Sequence, residues 1–133
     1  MMDVKSALKV LHLEDEEALR DIVRTTITLL EPGSQLWQFE NSDLAVRFIE
    51  QQGQKLDLFL LDVRVPGTID GVGVARKARE AGCTGLIAFT SAYQAPDPKQ
   101  LQNLDYLWLP KPVDLMRMKS TLKRARGVIP PAS

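Results

Sequence analysis

Residues 58–71 read LFLLDVRVPGTIDG. Four apolar residues run directly into Asp62, and a Pro66-Gly67 turn breaks the chain a few residues later. A short, continuous apolar run of this kind fits a strand buried on both faces. A carboxylate at the end of such a strand is costly unless a partner meets it. The rest of the chain has to supply that partner.

Four further apolar runs flank this one: Leu8–Leu13, Gln35–Phe39, Leu86–Thr90 and Tyr106–Leu109, with the central strand spanning Leu56–Val63. Helical patterns alternate with them. Leu19, Ile22, Val23, Ile27 and Leu30 follow helix spacing behind an acidic start at Asp15, Glu16 and Glu17. A second helix begins near Ser42 and carries Leu44, Phe48 and Ile49; a third runs from about Val72 to Ala81, with Gly82 as its cap. A short fourth helix is expected from Pro96-Asp97-Pro98, and a last one carries Leu115, Met118, Leu122 and Ala125 on one stripe. Five alternations of strand and helix predict an α/β fold whose parallel sheet is covered on both faces.

The 133 residues are expected to form a single domain, with a core over about residues 8–126 and a tail over 127–133. Seventeen basic residues balance seventeen acidic ones, which argues against direct nucleic-acid binding. Cys83 is the sole cysteine, which excludes an internal disulfide and fits a small buried hydrophobe in a cytoplasmic protein. Acidic residues interrupt the N-terminal stretch before a signal-peptide core forms, and no run is long enough to span a bilayer. His12, within an apolar run, reads as a packed core residue. Gly71 and Gly73 are not a dinucleotide fingerprint, because Arg76 stands where the third glycine belongs. Lys119, Lys123 and Arg126 form a basic stripe of solvated charges on the last helix.

In an open parallel sheet, ligands bind beyond the carboxyl ends of the strands. Those ends carry Glu14 and Asp15, Asp62, Thr90 and Ser91, and Lys111 between Pro110 and Pro112. Crowded carboxylates repel one another and invite a cation. Oxygen-only donors favour a hard ion such as Mg²⁺ over zinc. Lys111 can set a compact positive charge against a phosphoryl oxygen, and the Thr90 hydroxyl can donate to another. The set describes phosphoryl transfer with a carboxylate as nucleophile.

In their order and spacing, Glu14-Asp15, Asp62, Thr90 and Lys111-Pro112 resemble the receiver domain of two-component response regulators. The resemblance covers about Leu8 to Arg126 and implies a flavodoxin-like, doubly wound sheet of order 2-1-3-4-5 with five helices. It implies that Asp62 accepts a phosphoryl group from a histidine kinase or phosphotransfer protein. Asp15 and Asp62 would bind Mg²⁺ with the backbone carbonyl of Arg64, Glu14 would help mainly through water, and Thr90 and Lys111 would hold phosphoryl oxygens. Thr90 and Trp108 would form the switch. The Lys111–Pro112 bond would be cis. A downstream protein partner or output domain is implied, as is a homodimer through the fourth helix, fifth strand and fifth helix. Such a domain catalyses only its own phosphorylation and dephosphorylation.

Three departures from the family pattern stand out. PGTIDG carries one extra residue between the proline and the Asp-Gly pair, Ser91 replaces a residue that is often alanine, and the fourth helix holds two prolines. Two alternatives remain beside the switch: a receiver-like scaffold that works without phosphorylation, and a small Mg²⁺-dependent phosphatase. The phosphatase generally needs a second aspartate two residues past the nucleophile, where this chain has Arg64.

Overall fold

The computed structural model describes residues 7–92 and 97–127. Five strands, β1 (Lys9–Leu13), β2 (Gln35–Phe39), β3 (Leu58–Asp62), β4 (Leu86–Ser91) and β5 (Leu107–Pro110), form one sheet of order β2-β1-β3-β4-β5. Every neighbouring pair is parallel. Four α-helices connect or follow them: α1 (Glu17–Leu30), α2 (Ser42–Gln52), α3 (Gly71–Glu80) and α4 (Leu115–Arg126). Class, strand order and the apolar runs agree with the expectation from sequence.

Period-two alternation sorts the sheet residues onto two faces. Leu11, Leu13, Phe59, Leu61, Ile87 and Phe89 pack under α2 and α3, where Ala45, Ile49, Val74, Ala75 and Ala78 are buried. Val10, Leu58, Leu60, Ala88 and Leu109 face α1 and α4, where Ile27, Met118 and Leu122 complete the second core. All five residues of β3 are buried, as a strand with neighbours on both sides and helices on both faces must be. Asn41, Asp70 and Asp114 accept backbone N–H bonds from Leu44, Gly73 and Arg117 and so start α2, α3 and α4. Gly82, with φ +83°, lies one residue beyond the cap of α3 at Ala81. Cys83 is buried within the α2/α3 core.

The expected fourth helix is the main difference: among the described residues there are four α-helices, not five. Pro96, its expected start, lies outside the described residues, as does the tail over 128–133. From Pro98 the chain makes only a 3₁₀ turn to Leu101, and Asn103 then takes φ +66°. Asp97 caps this turn through the Lys99 N–H, and the left-handed Asn103 ends it. The expected fifth helix is therefore α4. Three apolar positions expected to face the core from helices are also exposed: Ile22 at 60%, Leu44 at 37% and Leu115 at 59%. Leu115 begins α4 beyond the sheet end, and Ile22 stands at the mouth of a groove between α1 and α4. Arg126 leaves the solvated stripe, because its guanidinium pairs with Glu31 and ties α4 to the end of α1.

Ile27 is the one fully buried residue of α1 among those described, whereas Leu29 is exposed. Ile27→Ala should therefore cost about 2–5 kcal/mol in urea unfolding. Leu29→Ala should stay within about 0.5 kcal/mol of the parent. Equal losses would mean that α1 packs through a different face.

Candidate phosphoryl-acceptor site

The acidic and basic strand-end residues converge at the carboxyl edge of the sheet. Asp62 ends β3 directly opposite Thr90 of β4, and Val63 N–H donates to the Thr90 carbonyl at 3.1 Å. Lys111 follows β5, where its backbone N–H donates to the Ser91 carbonyl at 2.9 Å and its bond to Pro112 is cis. The Lys111 ammonium sits between two carboxylates, 2.5 Å from Glu14 Oε1 and 2.8 Å from Asp62 Oδ2. One cation thus joins the ends of β1, β3 and β5.

Burial sets the electrostatics. Glu14 is 1% exposed and Asp62 is 6% exposed. Desolvation pushes both carboxyls above their ordinary pKa, and hydrogen bonds from Lys111 and from the backbone of Glu16 and Arg64 hold them back only in part. For Lys111, burial favours the neutral amine, but its bonds to Asp62 and Glu14 outweigh burial and raise its pKa. His12 is pushed down to about 3 by burial and by the Lys111 and Arg20 charges, so it is neutral at physiological pH. It occupies the core position expected of it.

Carboxylate oxygens of Glu14, Asp15 and Asp62 come within 4.8 Å of one another. The three differ in how free they are. Both Glu14 oxygens are engaged, Oε1 by Lys111 and Oε2 by the Glu16 N–H at 3.1 Å. The Asp15 side chain faces solvent, and Asp62 is held at Oδ2 by Lys111 and by the backbone N–H of Arg64. Thr90 Oγ1 is the buried side-chain polar atom left without a partner among the described residues. An unmade bond of this kind costs about 1–3 kcal/mol and marks a place for a further acceptor. Trp108 is half-buried on β5, with its ring 6.4 Å from Phe89, the residue before Thr90. Arg64 is exposed beyond Asp62, and Ser91 is buried.

Several supporting residues escape a reading of the sequence alone. Arg20 Nη1 donates to the carbonyls of Glu14 and Asp15, at 2.9 and 3.0 Å, and so fixes the loop that carries both acids. Gln38 donates to the Arg20 carbonyl at 2.8 Å and to His12 Nδ1 at 3.1 Å, which anchors α1 to the sheet. A Cβ at Gly71 would lie 2.1 Å from the Asp62 carbonyl oxygen, so no side chain fits behind the end of β3. The Asp-Gly pair at residues 70–71 was the available signal for this last constraint. Nothing in sequence spacing joins Arg20 to backbone carbonyls behind it.

The lengthened PGTIDG loop is pinned to the start of α2. Ser42 N–H donates to the Pro66 carbonyl at 2.9 Å, Ile69 N–H to Ser42 Oγ at 3.3 Å, and Thr68 N–H to Asp43 at 3.2 Å. Gly67 takes φ +124°, and a Cβ there would lie 2.1 Å from Ser42 Oγ. The extra residue is thus absorbed sideways against α2, and the β3 end keeps its pairing with β4.

No family model matches the chain. The sensory transduction protein LytT of Bacillus subtilis (strain 168) is 31% identical over 123 residues, covering 91% of this chain and 49% of the relative. The chain therefore spans about half of that relative's length. The two-component response regulator ORR41 of Oryza sativa subsp. japonica is 29% identical over 92 residues, 69% of this chain and 72% of the relative. Among solved structures, the receiver domain of sensor histidine kinase PA1611 from Pseudomonas aeruginosa PAO1, with magnesium coordinated in its active-site cleft, superposes with a TM-score of 0.76 and 25% identity. That match covers 91% of this chain and 98% of the other. The receiver domain of hybrid histidine kinase CckA gives a TM-score of 0.72 and 26% identity, over 89% and 98% of the two chains. Among the described residues, no helix is long and apolar enough to cross a membrane. The strand order, the sequence relatives and the structural neighbours agree, and the chain is a receiver domain of the two-component response regulators.

Proposed function

We propose that this chain is a phosphorylation-dependent signalling switch in which Asp62 is the acceptor. The observation that carries this reading is the Lys111 ammonium held between the Glu14 and Asp62 carboxylates, next to the unpartnered Thr90 hydroxyl. An Asp62 oxygen attacks the phosphorus of a phosphohistidine on a kinase or phosphotransfer protein. The P–N bond breaks, the imidazole leaves as the neutral base after taking a proton, and Asp62 becomes an acyl phosphate. Lys111 then turns from carboxylate to phosphoryl oxygen, and Thr90 Oγ1 gains the acceptor it lacks.

The donor set fits a hard divalent ion: three carboxylates lie close together, with no sulfur or nitrogen donor among them. Asp15, Asp62 and the Arg64 carbonyl would hold Mg²⁺, and Glu14, whose oxygens are both engaged, would act through water. When bound, the ion neutralises charge on the transferred group. Water attack on the acyl phosphate returns Asp62, so the domain turns over only its own modification. The signal leaves through Trp108: as Thr90 moves to the phosphoryl group, Phe89 and the Trp108 ring repack at β5. The downstream partner, or a second copy of the chain, reads the surface around β5 and α4. The cytoplasm, where a histidine kinase presents its phosphohistidine, is the fitting compartment.

Acetyl phosphate with Mg²⁺ should add one phosphoryl group to the wild type and none to Asp62→Asn, read by intact mass. Equal labelling of the two would remove Asp62 from the role. The charge balance gives a second expectation. Glu14 and Asp62, with raised pKa values, bind protons more tightly folded than unfolded, so each favours folding more as pH falls toward the ordinary carboxylate range near about 4. Lys111 has a raised pKa as well, so its contribution is full at neutral pH and is lost only at alkaline pH. Lys111→Met should therefore cost about 3–5 kcal/mol at neutral pH, because two buried carboxylates lose their cation. The deficit should shrink toward pH 5 as they protonate. A deficit independent of pH would mean that Lys111 acts by packing alone.

A further inference from the structure

We propose that Arg20 is a positioning residue for the acidic cluster. By holding the carbonyls of Glu14 and Asp15 on one nitrogen, it turns two neighbouring acids to different tasks and so sets the affinity of the cluster for Mg²⁺. The proposal rests on Mg²⁺ being the ion that the cluster takes.

The start of α1 differs from that of the other helices. Asn41, Asp70 and Asp114 cap α2, α3 and α4 with their side chains, whereas Glu16, at the cap position of α1, makes no such bond. The loop that carries Glu14 and Asp15 thus lacks the usual device that fixes a helix entry. Arg20, one turn into α1, takes that place: its Nη1 donates back to the Glu14 carbonyl at 2.9 Å and to the Asp15 carbonyl at 3.0 Å.

Peptide geometry carries this hold to the side chains. A planar trans peptide points its carbonyl and the next N–H in opposite directions. With the Asp15 carbonyl turned to Arg20, the Glu16 N–H points the other way, and it donates to Glu14 Oε2 at 3.1 Å. Lys111 holds the other oxygen, Oε1, at 2.5 Å. Glu14 is therefore fixed at both oxygens and buried, while Asp15, the next residue, keeps an exposed carboxylate within 4.8 Å of the other two acids. One guanidinium separates an anchor from a ligand.

Arg20 is itself held from β2. Gln38 donates to the Arg20 carbonyl at 2.8 Å, and on the same strand the Phe39 carbonyl accepts from the Glu14 N–H at 3.0 Å. The acid loop and the helix that braces it are thus registered on one strand. The positive charge of Arg20 works against a nearby cation. By charge alone, its removal would tighten Mg²⁺ binding, so a weakening reports on orientation.

Mg²⁺ is titrated into the full chain at fixed pH and ionic strength and followed by amide NMR. Arg20→Met should weaken binding about tenfold, as loss of an outer partner of a metal ligand does. Arg20→Lys, which keeps the charge on a shorter stem, should fall between that variant and the wild type. Gln38→Met should weaken binding in the wild-type background and add little to Arg20→Met, because it acts through Arg20. In the metal-free protein, Arg20→Met should speed hydrogen exchange at the Glu16 N–H several-fold. Amide spectra check folding, and Arg20→Lys with Gln38→Met carries the test if Arg20→Met does not fold. A purely structural role would lower the melting temperature and leave the affinity of the folded protein unchanged. Unchanged or tighter Mg²⁺ binding in the Arg20 variants, or weaker binding with Glu16 exchange unaltered, would overturn the proposal. A wild type whose Asp15 and Asp62 signals ignore Mg²⁺ would instead remove the metal reading itself, and the proposal with it.

Discussion

The Lys111 ammonium is the constraint on which the rest of the site depends. It is shared by two buried carboxylates from two other strands, Glu14 after β1 and Asp62 at the end of β3. Each carboxylate alone would be an uncompensated charge at the edge of an apolar sheet. Burial raises the pKa of both carboxyls, and one cation shared between the two offsets that only in part. The site is stable enough to fold and still short of positive charge. In the proposed reaction, the counter-ion that accompanies the phosphoryl group would make up that shortage.

The scaffold around this ion cluster is made of backbone contacts more than of side-chain pairs. Gly71 lets α3 begin against the Asp62 carbonyl, and the Val63 N–H closes the strand end onto Thr90. Arg20 draws the carbonyls of Glu14 and Asp15 back toward α1, while Gln38 ties that helix to His12 in the sheet. The lengthened PGTIDG loop leans on Ser42 and Asp43, so its extra residue does not disturb β3.

Much of this was legible in the sequence because the fold has a strong periodic signal. Five apolar runs separated by helical patterns define the sheet, and chemistry-bearing residues at the ends of four of them define the candidate site. Asp62 and Lys111, 49 residues apart, could be paired on that ground alone. What stayed hidden depends on three-dimensional fit. Helix periodicity put Ile22 on the core stripe, yet α1 and α4 leave a groove where it sits. Spacing cannot say that Arg20 reaches backward to two carbonyls, nor that Arg126 pairs with Glu31 across 95 residues. Where a fourth helix was expected, the chain makes a 3₁₀ turn over Pro98–Leu101, and the left-handed Asn103 follows it.

The most direct test of the account is a crystal structure of the protein with Mg²⁺ and beryllofluoride, a stable mimic of the phosphoryl group. The account predicts beryllium on an Asp62 oxygen, one fluorine on Lys111 Nζ, another within hydrogen-bond reach of a reoriented Thr90 Oγ1, and Mg²⁺ against Asp15. A structure in which beryllofluoride sits elsewhere, or in which Lys111 still bridges Glu14 and Asp62 with Thr90 unpartnered, would contradict it.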